Sequence, residues 1–98
     1  RLSDSIGVVA PPGQQPEEVT LRAYGPFADY LRKHPFHHSQ VERNDMGSFT
    51  SFDYTLIVTD ELVDEILALG DKVEITFPEK LRMKLLQKIG RIKNRYII

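Results

Sequence analysis

The spacing of apolar residues switches repeatedly between a period of two and a period of about 3.6, and this constrains the fold more than any other feature. Val19, Leu21 and Ala23 alternate with Thr20, Arg22 and Tyr24, which predicts a half-buried strand over Val19–Tyr24. Gly25-Pro26 then opens a helix, because proline at the first helical position lacks only an N–H that has no partner there. Phe27, Tyr30 and Leu31 share the predicted buried face, and Pro35 ends the element. Residues 38–44 read as a weak strand, followed by the turn Asp45-Met46-Gly47-Ser48. Phe49–Val58 is the strongest strand, with Phe52, Tyr54, Leu56 and Val58 on one face. These two strands are expected to form an antiparallel hairpin. Asp60 is the expected cap of a second helix, with Leu62, Val63, Ile66 and Leu67 inward and Gly70 as its stop. Lys72–Phe77 alternates again, with Val73, Ile75 and Phe77 inward, and Pro78 ends it. A long helix is expected from Glu79 to about Arg95.

That order, β-α-β-β-α-β plus one helix, predicts an α+β ferredoxin-like fold. A four-stranded antiparallel sheet would carry two helices on one face, with an extra C-terminal basic amphipathic helix. Residues 10–18, APPGQQPEE, hold three of the chain's six prolines and read as a linker. Residues 2–9 end in an apolar run fit for one strand. The chain therefore divides into 1–9, a linker over 10–18, and a domain over 19–98. It opens with Arg1, which suggests a piece of a longer protein.

The net charge of −1 hides an asymmetry. Residues 1–78 carry 6 basic and 13 acidic side chains, whereas residues 79–98 carry 7 basic and 1 acidic. Plotted at 100° per residue, Leu81, Leu85, Ile89, Ile92 and Tyr96 fall within an arc of about 80°. Lys80, Lys84, Lys88, Arg91 and Arg95 fill the neighbouring arc. Such a helix can sit on a membrane surface, dock a partner or track phosphates, or simply cover a core or form a dimer with its basic edge solvated. The stripe lacks Trp and Phe and is needed for a small core, which argues against the membrane. Arg22 and Arg43 lie on strands, where they can face a ligand or water. Arg22, Arg43, Lys84, Lys88, Arg91 and Arg95 are accordingly the candidate nucleic-acid or anion contacts.

Other chemistry finds little support. There is no cysteine, which excludes disulfides and thiolate metal sites. His34, His37 and His38 cluster, but beside Pro35 and without nearby carboxylates they read as loop histidines, so no metal or other cofactor is expected. Ser39 and Ser51 lack a nucleophile elbow, and no catalytic residue is expected. The glycines are too scattered for a phosphate loop. Asp64 and Glu65 do not face each other and read as solvated. Tyr24, Phe49, Phe52 and Tyr54 raise the possibility of base stacking on an open sheet, a reading that burial of Phe52 and Tyr54 would remove. No apolar run reaches the roughly 18 residues of a membrane span.

Over roughly residues 19–95 the pattern resembles the C-terminal extension, or WCX domain, of bacterial WYL-domain transcriptional regulators. The pieces that carry the resemblance are HSQ at 38–40 and LGDKVEITFPEKLR at 69–82. Residues 2–9 are similar to the last strand of a preceding WYL domain, with Ser5 where the family usually shows arginine. The resemblance implies a cytoplasmic regulator with a winged helix-turn-helix and a WYL domain that senses a nucleotide or single-stranded nucleic acid. In it this non-enzymatic module would help form a homodimer and support effector sensing. Neither the DNA-reading helix nor the Trp-Tyr-Leu motif lies in this chain, so no site is carried over from them. The rival is an amino-acid-binding regulatory domain of the ACT type, which has the same element order and binds near a glycine-bearing turn after its first strand, the place of Gly25.

Overall fold

Alternation sets the first layer of the fold. In the computed structural model, which describes residues 15–97, strand β1 runs Glu17–Tyr24. It begins two residues inside the expected linker, because Glu17 and Glu18 already pair with Leu56 and Thr55. Residues 1–9 and most of the linker lie outside the described residues. Strands β2 (Val41–Asp45), β3 (Phe49–Leu56) and β4 (Val73–Phe77) complete one antiparallel sheet of order β2-β3-β1-β4. Helices α1 (Phe27–Lys33), α2 (Asp60–Leu67) and α3 (Glu79–Tyr96) supply the second layer. Strand order and element order are those of the ferredoxin-like split βαβ.

The inward face of the sheet carries Val19, Leu21, Ala23, Phe52, Tyr54, Leu56, Val73 and Ile75, all buried. Ala28 and Leu31 of α1, Leu62, Val63 and Ile66 of α2, and Leu81 and Leu85 of α3 join the same core. All three helices therefore cover one face, and the other is left open. Burial of Phe52 and Tyr54 removes the base-stacking reading for those two rings.

Several local details depart from the expected pattern. Phe77 is about half exposed rather than inward. A register shift between Thr20 and Leu21 pairs Phe77 with Thr20, whose side chain lies on the open face, so Phe77 follows it out of the core. Strand β3 ends at Leu56, and Val58 packs against the core from the loop beyond. Helix α1 buries Ala28 and Leu31, while Tyr30 turns outward and stacks between Phe27 and His34 at 5.3 and 4.8 Å. The cap of α2 is Thr59, not Asp60. Its extended backbone points Oγ1 at the Leu62 N–H, 3.1 Å away, and leaves Asp60 as the first helical residue. Gly47 in the β2–β3 turn and Gly70 after α2 have φ of 89° and 66°, where a side chain would be strained.

Candidate functional site

The HSQ segment folds into a fastening. Ser39 Oγ accepts the Thr55 N–H at 2.9 Å, which ties the loop before β2 to the end of β3. Gln40 spends its amide on three partners. Nε2 donates to the Leu31 carbonyl of α1 at 2.9 Å, while Oε1 accepts from the Phe36 N–H at 3.1 Å and the Tyr54 hydroxyl at 2.7 Å. One side chain thus satisfies the α1 C-terminus, the loop and a core phenol. Burial pushes the Tyr54 hydroxyl well above its ordinary range, so it stays protonated and donates. His37 is buried beside this fastening, and its Nδ1 accepts the Ser39 N–H at 3.1 Å. Burial first, and the adjacent His38 ring second, hold its pKa below the usual value. Among the described residues no three metal-ligating side chains come together, and the three histidines are spread over stacking and loop roles. The HSQ motif is an architectural signal.

Arg32 plays a similar part at the sheet edge. Its guanidinium forks onto Glu42 at 2.9 and 3.1 Å and reaches Asp29 on its own helix. The Glu42 hydrogen bond, and then Asp29, hold Arg32 firmly charged, and Arg32 in turn lowers the Glu42 pKa. This pair docks α1 onto β2, and nothing in the sequence pattern singled it out.

The six candidate anion contacts separate into two groups. Arg22 and Arg43 stand on the open face of the sheet. Arg22 lies over the Phe49 ring at 4.5 Å and faces Glu74 at 4.0 Å, while Tyr24 donates to Glu74 at 2.6 Å. Arg43 Nε is 3.2 Å from Asp53, which also accepts from Thr20. Each of these arginines is therefore engaged by a carboxylate of the same face. Lys84, Lys88, Arg91 and Arg95 lie on α3, which packs on the opposite face of the sheet. The two groups do not form one site.

Helix α3 is half seated. Leu81 and Leu85 are buried, but no residue after Leu85 is. Ile89 and Ile92 are each 46% exposed, and Tyr96 is 83% exposed. The expected apolar stripe therefore continues past the core that its first two members enter. On the basic edge, Lys80 pairs with Glu17, and Lys88 with Asp64 of α2 at 3.1 Å. Among the described residues no carboxylate lies within salt-bridge distance of Lys84, Arg91 or Arg95. Lys84 to Arg95 spans about 16 Å along the axis. Between α2, β4 and α3 opens a groove of about 460 Å³, its apolar walls formed by Ile66, Leu67, Val73, Leu85, Leu86 and Ile89. Sequence periodicity places the stripe but does not say how much of it enters the core.

No helix of the described residues is long and apolar enough to cross a membrane. No curated protein matches the chain. The family model of the WCX domain matches residues 15–93, which takes in the whole sheet, α1, α2 and α3 as far as Lys93. With four-fifths of its length inside that match, and with the HSQ and LGDKVEITFPEKLR segments forming its fastening and its α2–β4–α3 connection, the chain belongs to the WCX domain family.

Proposed function

We propose that this WCX domain is a non-enzymatic, cytoplasmic regulatory module of a WYL-type transcriptional regulator. It self-associates within the full-length protein and supports the WYL and winged helix-turn-helix parts in sensing a nucleotide or single-stranded nucleic acid. The observation that carries the reading is the unseated half of α3 with Arg91 and Arg95 on it and Lys84 just before it, all three without acidic partners among the described residues. Three cations on one helical face can neutralise about three phosphates of a single strand. An anion held there alters how α3 meets its neighbours, and hence how two distant DNA-binding domains are spaced. Arg22 and Arg43 already hold carboxylates, so a role for them in anion contact requires that Glu74 and Asp53 be displaced.

The test is a titration of the 98-residue chain with short single-stranded DNA at low and moderate salt, beside Lys88→Glu/Arg91→Glu, with sedimentation to read self-association. Saturable binding is expected, with log K falling against log salt at a slope near −2, the value for about three phosphates. The variant is expected not to bind. Absence of binding at low salt removes the sensing role and leaves assembly alone.

A second reading draws on the hollow beside the Gly25-Pro26 turn, about 530 Å³ in volume and lined by Tyr24, Pro26, Phe27, Tyr30, Leu69 and Lys72. An ACT-like domain would hold an amino acid there, with Lys72 meeting its carboxylate. Thermal-shift screening against the twenty common amino acids decides it: no shift in any of them excludes this site.

A further inference from the structure

The cations of α3 restrict what can cover its apolar stripe. Leu85, Ile89, Ile92 and Tyr96 follow a four-three-four spacing, which is the seam of a helix-helix contact. One side of that seam carries Lys88, Arg91 and Arg95, and the other carries Arg82 and Lys93. After Glu79 the helix has no carboxylate at all. A second α3 laid on this seam, parallel or antiparallel, would bring cation against cation along both flanks, which is unfavourable. The chain's own acidic helix cannot serve either. Helix α2 carries Asp60, Glu61, Asp64 and Glu65, but its apolar side is already buried through Leu62, Val63 and Ile66. Helix α1 has one carboxylate against two cations. Among the described residues, then, no acidic helix with a free apolar face exists.

Resting on the reading that the unseated half of α3 is a contact surface, we infer that this seam receives an acidic amphipathic helix of a different polypeptide. Its apolar ridge lies along Ile89, Ile92 and Tyr96, with its first turn over the groove beside Leu86. Its carboxylates flank that ridge and meet Arg91, Arg95 and Lys93. Asp71 lines the far wall of the groove, so the acidic flanks belong over α3 and not over the β4 side. The Lys88–Asp64 pair is the same contact made within the chain: a basic edge of α3 against an acidic helix.

The probes are three labelled helical peptides of roughly four turns. The first has leucines at i, i+4, i+7 and i+11 flanked by glutamates. The second keeps the leucines and replaces the glutamates by lysines. The third keeps the glutamates and replaces the leucines by serines. Each is titrated against the 98-residue chain by fluorescence anisotropy at roughly 0.15 M salt, where exposed charges act over about 8 Å. Only the first is expected to saturate, and Ile89→Asp/Ile92→Asp is expected to weaken it about tenfold or more, the equivalent of one lost apolar anchor. Both residues lie outside the core, so circular dichroism of this variant is expected to match the parent. Equal binding of the serine peptide overturns the inference in favour of a general anion surface. Equal binding of the lysine peptide, or no binding by any, also overturns it. Loss of self-association in Ile89→Asp/Ile92→Asp assigns the seam to a second copy and overturns it as well. The DNA titration reads the cations without the apolar seam, so failure of the peptide arm and failure of the DNA arm are told apart.

Discussion

Replacing Gln40 by alanine is expected to destabilise the domain far more than its partly exposed position suggests. The substitution removes three hydrogen bonds, to the Leu31 carbonyl, the Phe36 N–H and the Tyr54 hydroxyl. Each contributes about 1 kcal/mol net, and the buried Tyr54 hydroxyl left without a partner adds roughly 1 kcal/mol more. Allowing for water at the loop end, the expected loss is about 2–4 kcal/mol. For a domain of this size that lowers Tm by roughly 10–25 °C. Tyr54→Phe is the informative companion. It removes the same 2.7 Å bond from the other side but leaves Gln40 Oε1 its Phe36 donor, so about 1 kcal/mol is expected. The double variant is expected to lose about 1 kcal/mol less than the sum of the singles. Urea unfolding followed by circular dichroism gives all four values. A Gln40→Ala loss under about 0.5 kcal/mol, or strictly additive singles, refutes the claim that this amide joins loop, helix and core.

Leu81→Ala is expected to cost about 2–5 kcal/mol, and Ile92→Ala under about 0.5 kcal/mol, in the same assay; equal effects contradict the half-seated helix. Thr59→Ala is expected to cost about 1 kcal/mol and Asp60→Ala a few tenths, so the reverse order returns the cap to Asp60. His37 titrates below its ordinary value when folded, so the unfolded chain takes its proton first as pH falls. Its contribution is therefore complete above the unfolded value near 6.5 and declines below it, by at most about 1.4 kcal/mol per pH unit. Urea midpoints between pH 7.5 and pH 5 measure this, and a His37→Gln variant with the same slope assigns the decline elsewhere.

The sequence by itself determined the order of elements and most of the core. Alternation in Val19–Tyr24 and Phe49–Leu56, and the inward set of α2, translate directly into burial, because a period of two or 3.6 admits one buried face. It also located α3 and its two stripes almost to the residue. The weak points were local choices between neighbours. Thr59 and Asp60 are both good caps, and only backbone geometry selects between them. Phe77 fits the alternation of β4, but the register shift opposite Thr20, which involves another strand, turns it outward. The candidate site was legible as a list of cations and not as a place. Whether Arg22 and Arg43 share a surface with Lys84, Lys88, Arg91 and Arg95 depends on which face of the sheet each element packs against, and the tertiary structure puts them on opposite sides. Periodicity likewise cannot say how far a sheet extends beneath a helix. Where α3 meets β4 and α2 is decided by elements remote in sequence, and that placement seats Leu81 and Leu85 and leaves Ile89, Ile92 and Tyr96 exposed.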